Sequence, residues 1–285
     1  MRTIQFLLIG LAAVLAPTLA SARTQLKLPQ ASPAASVSQA IGPATVSIDY
    51  HRPSVRNRAI WGGLVPYGEV WRTGANEATK IQFSDAVRID GHEVPAGTYS
   101  FFAIPTANSW TLILNKNAAQ WGAFKYAAAD DLLRFEVKTL AVPSQEWLRY
   151  SIEAKGENSA TVQLAWEKVA VQFTIEVDSE KLLVAQIDDA IAHAKPDDAA
   201  VYLSSAKYYY EHGLAPEKAM LWIDKSIAIS DGFQARECKA RLADRMGRKA
   251  EAVAQVEKAI ELATGKARAQ YLEALGKLLA EYKAK

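Results

Sequence analysis

Residues 51–80, HRPSVRNRAIWGGLVPYGEVWRTGANEATK, gather the side chains best suited to chemistry. They include four arginines, two tryptophans, a tyrosine, two glutamates and four glycines. The apolar positions follow neither a period of 2 nor one of 3.6, which predicts a long structured loop between strands. Ordered loops of this length in a compact domain usually carry function.

The chemistry on offer is recognition more than catalysis. Arg52, Arg56 and Arg58 lie close together, and Arg72 follows Trp71. Guanidinium groups on one loop can grip a carboxylate or phosphate in bidentate fashion. Alternatively they pair with Asp49, Glu69, Glu77 and Asp85 to pin the loop. For Arg72, set in the dense patch Trp71-Arg72-Thr73-Gly74-Ala75-Asn76, a ligand contact is the stronger expectation. Trp61, Tyr67, Trp71, Trp110, Trp121 and Tyr126 are candidates to line a groove, where a flat ring stacks on a sugar and nearby Asn and Glu take its hydroxyls. The alternative is that most of them are core; Trp110 and Trp166 fall on strand patterns and are expected there. The candidate ligand-binding set is Arg52, Trp61, Tyr67, Glu69, Trp71, Arg72, Asn76 and Glu77.

Catalytic constellations are thin. His51 is the one histidine near the patch, since His92 sits in a hairpin and His193 and His212 on helices. There is no H-x-x-x-H spacing, no G-x-S-x-G elbow and no phosphate loop, so no metal or cofactor is expected. His51 with Glu69 or Glu77 could act as a base. Glu69 and Glu77 together could serve glycoside hydrolysis. The plainer expectation is a His51 that hydrogen-bonds at a strand end.

The elements around the loop change period once. After a segment rich in Pro, Ala and Ser (residues 29–38), strand patterns run to about Asp178. Val46, Ile48 and Tyr50 alternate with polar or small residues; so do Leu148, Tyr150 and Ile152, then Val162, Leu164 and Trp166, then Val171, Phe173, Ile175 and Val177. Asp90-Gly91 marks a hairpin, and Pro95-Ala96-Gly97 a turn before a strand over 98–104. Strands over 109–115 and 132–140 bring the total to eight or nine, an antiparallel sandwich or barrel. Asp178-Ser179 is a helix N-cap, and the chain is helical beyond it. Pro196 and Pro216 mark helix starts, and Gly213 and Gly247 mark turns. Ala219 and Ala252 are 33 residues apart in similar contexts, close to the tetratricopeptide period. Helices over 197–212 and 216–230, then 233–246 and 248–263, form two such repeats, with 267–283 as a cap. The match is degenerate at Arg236 and Ala240.

The first residues predict export. Arg2 precedes an apolar run over 4–15, and Ala20-Ser21-Ala22 is a cleavage site, so the mature chain starts at Arg23, periplasmic or secreted. No later stretch reaches the ~20 apolar residues of a spanning helix. Cys238 is the only cysteine, so a hydrophobic core must hold the chain, and the thiol is expected to be buried in a helix. The net charge of +2 disfavours nucleic acid or anionic membrane as the main partner. The expected organisation is a signal peptide (1–22), a linker (23–38), a β-sandwich (39–178) and a tetratricopeptide-like domain (179–285).

Several motifs together resemble one bacterial exported family, Domain of Unknown Function 2911. They are Ser32-Pro33, Tyr50-x-Arg52-Pro53-Ser54, Trp61-Gly62-Gly63-Leu64-Val65-Pro66-Tyr67-Gly68, Val70-Trp71-Arg72-x-Gly74-Ala75-Asn76-x-Ala78-Thr79, Pro95-Ala96-Gly97-Thr98-Tyr99-Ser100, Asn115-Lys116 and Trp121-Gly122. The resemblance covers residues 28–178. It implies an all-β domain and bacterial export, and assigns no activity. Trp61 stands where the family has phenylalanine, which implies an apolar position rather than a ligand contact. The helical tail lies outside the resemblance. Three functions follow in order: a module binding a small polar, anionic or sugar-like ligand, with a tail that docks a protein; a structural exported protein without a ligand; and a hydrolase of an envelope polymer using His51, Glu69, Arg72, Asn76 and Glu77.

Overall fold

The computed structural model describes residues 28–263 and 268–284. The expected signal peptide and its cleavage site lie outside the described residues. Among the described residues, ten strands are followed by six α-helices. Strands β1 (Ala34–Ile41), β2 (Ala44–His51), β3 (Thr79–Phe83), β6 (Gly97–Pro105), β7 (Ser109–Asn115) and β8 (Asp131–Lys138) form one antiparallel sheet, in that spatial order. Strands β5 (His92–Val94), β4 (Val87–Ile89), β10 (Ser159–Glu176) and β9 (Leu140–Ala154) form the second.

The alternation places Val46, Ile48 and Tyr50 of β2 on the inner face. Ile81, Phe83, Phe101, Leu112 and Leu114 join them against Leu148, Tyr150, Val162, Leu164 and Phe173 of the other sheet. The expected antiparallel sandwich is thus observed, with its main core between the sheets.

Several boundaries differ from expectation. β1 starts at Ala34, inside the segment taken as linker. Its small residues, AASVSQAI, leave little contrast between faces, so the alternation is weak in sequence. The run over 132–140 is broken at Thr139, which separates β8 from β9. The two runs around Trp166 are one strand, interrupted by register shifts at Glu167, where φ is 55°. Pro196 lies before the second helix, whose cap is Asp198.

The outer face of the six-stranded sheet is only half covered. Phe102, Ile113 and Ala78 point outward and are buried beneath Val70, Ala123 and Tyr126. Residues 116–130 make this cover. Asn115 pins it: its side-chain amide donates to Ala127 O and Asp131 Oδ1, while its carbonyl accepts from Gln120 Nε2. Over β1, β2 and β3 no such cover exists among the described residues, and that is where a cleft opens.

Asp178 caps α1 (Ser179–Ala192) by accepting from Lys181 N at 3.1 Å. Helices α2 (Ala199–Glu211) and α3 (Pro216–Ile229) form one hairpin, and α4 (Phe233–Arg245) and α5 (Lys249–Leu262) a second, with α6 (Arg268–Ala284) against α5. Short turns through left-handed Gly213 and Gly247 make the paired helices antiparallel. Ala206, Trp222, Ile223, Leu242 and Val256 form their core, with Ile227 and Ile260 partly buried beside it. Cys238 is buried in α4, and desolvation pushes its thiol up to about 12.

Helix α1 belongs to both cores. Leu182 packs on the sandwich core, and Val184, Ile187 and Ile191 pack on the helical one. The turn at Gly42, where φ is 54°, comes so close to α1 that a Cβ there would sit 2.1 Å from Ser179 Oγ.

Candidate functional site

Residues 52–78 form a loop fixed from inside the protein. Thr73 is fully buried and left-handed, with φ at 51°. A β-branched residue tolerates that conformation poorly. Three hydrogen bonds hold it. Thr73 Oγ1 donates to Phe101 O at 2.8 Å, and Thr73 O accepts from Tyr150 OH and Thr79 Oγ1, each at 3.1 Å. Burial raises the Tyr150 phenol well above its ordinary pKa, so it stays a donor. Gly74 lies so close to its neighbours that a Cβ would meet Thr79 Oγ1 at 2.9 Å and His51 O at 3.2 Å.

This anchoring sets the next two residues. Asn76 is also left-handed, with φ at 56°. Its side-chain amide lies 3.4 Å from both Gln30 Oε1 and Ser32 O. Glu77 then projects beside His51, with Oε2 3.4 Å from His51 Nδ1. The backbone here pairs with a second loop: Ala78 N donates to Gln120 O at 3.0 Å and Gly122 N to Asn76 O at 3.1 Å. Glu77 and Trp121 face each other in an isolated β-bridge. The tie leaves the Trp121 side chain 60% exposed.

His51 and Glu77 line a cleft of about 530 Å³ together with Ser36, Asp49 and Lys80, over a floor that includes Ala34, Ala35 and Ala78. Strand register explains the grouping. Ser36 opposes Asp49, Asp49 opposes Lys80, and Ala34 opposes His51. Ser36, Asp49 and Lys80 therefore form one row across the outer face, and His51 lies in the next. Among the described residues, Asp49 and Lys80 make no ion pair, which leaves both free for a ligand. The cleft offers carboxylate acceptors, an ammonium donor, an imidazole and a hydroxyl, a set matched to a hydroxyl-rich neutral molecule.

The expected site residues divide. Glu77 lines the cleft, and Asn76 adjoins it. The arginines do not form an anion cradle, nor do they pair with Asp49, Glu69, Glu77 or Asp85. Arg52 Nε donates to Leu148 O at 2.9 Å, Arg56 Nε to Ser54 Oγ at 2.9 Å, and Arg58 Nε to Val55 O at 3.0 Å. These guanidiniums satisfy backbone and hydroxyl acceptors in a segment that has no ladder of its own.

Arg72 is different. Its Nε is buried without a hydrogen-bond partner, and desolvation lowers its pKa. Tyr67 is exposed and folds over Gly62, and Glu69 is exposed and does not line the cleft.

The aromatics do not form one groove. Trp61, Trp71, Trp110 and Trp166 cluster in the sandwich interior with ring centroids 4.7 to 6.1 Å apart. Trp71 is buried and Trp61 partly so, both packed into the core, because the loop runs back alongside β6, where Trp71 bridges Ala103. Tyr126 donates to Asp131 Oδ2 at 2.7 Å as part of the cover.

Sequence reasoning missed Ser36 and Lys80, and took Asp49 only as an arginine partner. The alternation of β2 and β3 does put Asp49, His51 and Lys80 on outward positions. That signal gains meaning only with the strand order, which no local pattern supplies.

Comparison with known proteins gives one match. A family model described as "Protein of unknown function (DUF2911)" matches residues 32–175, just over half the chain. No curated protein and no solved structure matches. The matched span runs from the edge of the cleft to the last strand of the sandwich, and the chain belongs to the DUF2911 family.

Proposed function

We propose that the sandwich is a binding module for a small, neutral, polyhydroxylated ligand held in the cleft over β1, β2 and β3. The observation that carries this is the set of Asp49, Lys80, His51 and Glu77 side chains in one cleft, with Asp49 and Lys80 making no ion pair among the described residues. Thermal-shift and calorimetric titration with polyols and monosaccharides test it. Binding lost in both Glu77→Gln and Lys80→Met, with the fold intact, is the expected result. Equal binding in wild type and both variants would place the ligand elsewhere.

The His51–Glu77 contact at 3.4 Å favours a second reading, a hydrolase in which Glu77 orients His51 as a base. Substrate cleavage that vanishes in His51→Ala would select it.

The chain is further proposed to be exported, on the strength of the basic start, apolar run and Ala-Ser-Ala site of its first residues. Among the described residues no helix is long and apolar enough to cross a membrane. Sequencing the mature protein tests export: an N-terminus at Arg23 is expected.

The helical region is proposed to be tetratricopeptide-like and to dock a protein segment. Its two antiparallel hairpins support this, as does a groove of about 560 Å³ along α2, α4 and α6, lined by Lys207, Tyr210, Glu237 and Arg241 among others.

A further inference from the structure

Two aromatic side chains on the loop that faces Glu77 are largely exposed. Trp121 is 60% exposed and Phe124 is 86% exposed. Their loop is otherwise well anchored, through Asn115 on one side and the Asn76–Ala78 backbone on the other. The rings are thus presented on fixed backbone. Gly122 makes the arrangement possible. Its φ of 65° and missing side chain let the Phe124 ring lie against it, where a Cβ would meet the ring at 2.8 Å. The same Gly122 donates its N–H to Asn76 O, which holds Trp121 opposite Glu77. An exposed indole therefore stands opposite Glu77, which lines the polar cleft, with an exposed phenyl three positions further along the same loop.

Exposed large rings are costly, and apolar surface of this kind marks an interaction site. Aromatic faces next to carboxylate, amide and amine groups match a pyranose ring, which has apolar C–H faces and a hydroxyl rim. We infer that Trp121 and Phe124 extend the cleft into a second subsite, so that the ligand is a neutral glycan chain of two or more rings. This rests on the proposed binding function of the cleft and specifies its ligand. An anionic lipid surface fits less well, because Asp49 and Glu77 present carboxylates in the adjoining cleft.

The test is an array of neutral and anionic oligosaccharides from one to six rings, followed by calorimetry of full-length protein on the best neutral series. Affinity should rise from one ring to three. Trp121→Ala should weaken the longer chains by roughly five- to tenfold, the value of one stacked ring, and leave the single ring unaffected. Phe124→Ala should act in the same direction. Glu77→Gln should weaken chains of every length.

Binding that ignores chain length, or an unaffected Trp121→Ala, overturns the second subsite while leaving the cleft as a single-ring site. Absence of binding to any neutral saccharide or polyol overturns both. Trp121-dependent retention on vesicles of anionic phospholipid, with no glycan retained, assigns the two rings to a membrane surface and also overturns the inference.

Discussion

At the scale of single residues, Arg72 and Cys238 make the sharpest predictions. Arg72 has no carboxylate partner among the described residues, so the ~3–5 kcal/mol cost of stranding a buried counter-charge does not arise. Arg72→Met should keep the stem packing and remove a partly desolvated charge. Its unfolding free energy should stay within about 1 kcal/mol of wild type in urea titration. A loss of several kcal/mol would reveal an ion pair. Cys238 is buried with its thiol pushed up to about 12. Native protein at pH 8 to 9 should therefore resist iodoacetamide, whereas urea-unfolded protein reacts at the rate of an ordinary thiol. Rapid labelling of native protein would contradict the burial of α4. Residue types announced the loop as important, yet not why. The acceptor of Arg52 lies 96 positions away on β9, and nothing local to Arg52 predicts a carbonyl rather than a carboxylate.

Among the elements, legibility follows contrast. β2, β6, β7 and the Asp90-Gly91 hairpin were legible because apolar and polar positions alternate cleanly, and Asp178 was legible as a cap. β1 was not, because alanine and serine differ too little. The cleft was not, because it is a property of three aligned strands. The turn that carries Glu77 depends on hydrogen bonds from another sheet, and this makes a test. Tyr150→Phe removes one of two donors to Thr73 O, at a cost of about 1 kcal/mol. It should also weaken ligand binding at the cleft, although Tyr150 does not line it. A variant with lowered stability and unchanged affinity would show that the turn keeps its shape without the phenol. Gly74→Ala should cost more, about 1–3 kcal/mol, since Thr79 and the His51 backbone must shift to admit the Cβ. Chemical denaturation of the two variants in parallel ranks these effects.

For the whole molecule, α1 decides whether the two cores act together. Val177 N donates to Asn158 O at 2.8 Å and Leu182 lies on the sandwich core, so the junction is structured. Limited proteolysis should spare residues 177–181. Leu182→Ser should uncouple the units and split a single calorimetric transition into two. Two transitions already present in wild type would show that α1 transmits little. The sheet order has its own consequence for how the chain reaches this state. The six-stranded sheet follows chain order from β1 through β3 and from β6 to β8, so most of its pairs close short segments. The other sheet must wait for β10, because Ile175 pairs with Ile89 and Thr174 N donates to Asp90 Oδ1 across 84 positions. Loop closure over that distance is paid before any contact repays it. A chain emerging from its N-terminus therefore holds a half-built sandwich, its inner face open, until the last strand arrives. The helices follow that strand directly, so the closing of β10 on β4 is the step that covers the apolar inner faces, surface of a kind that favours aggregation while it stays open.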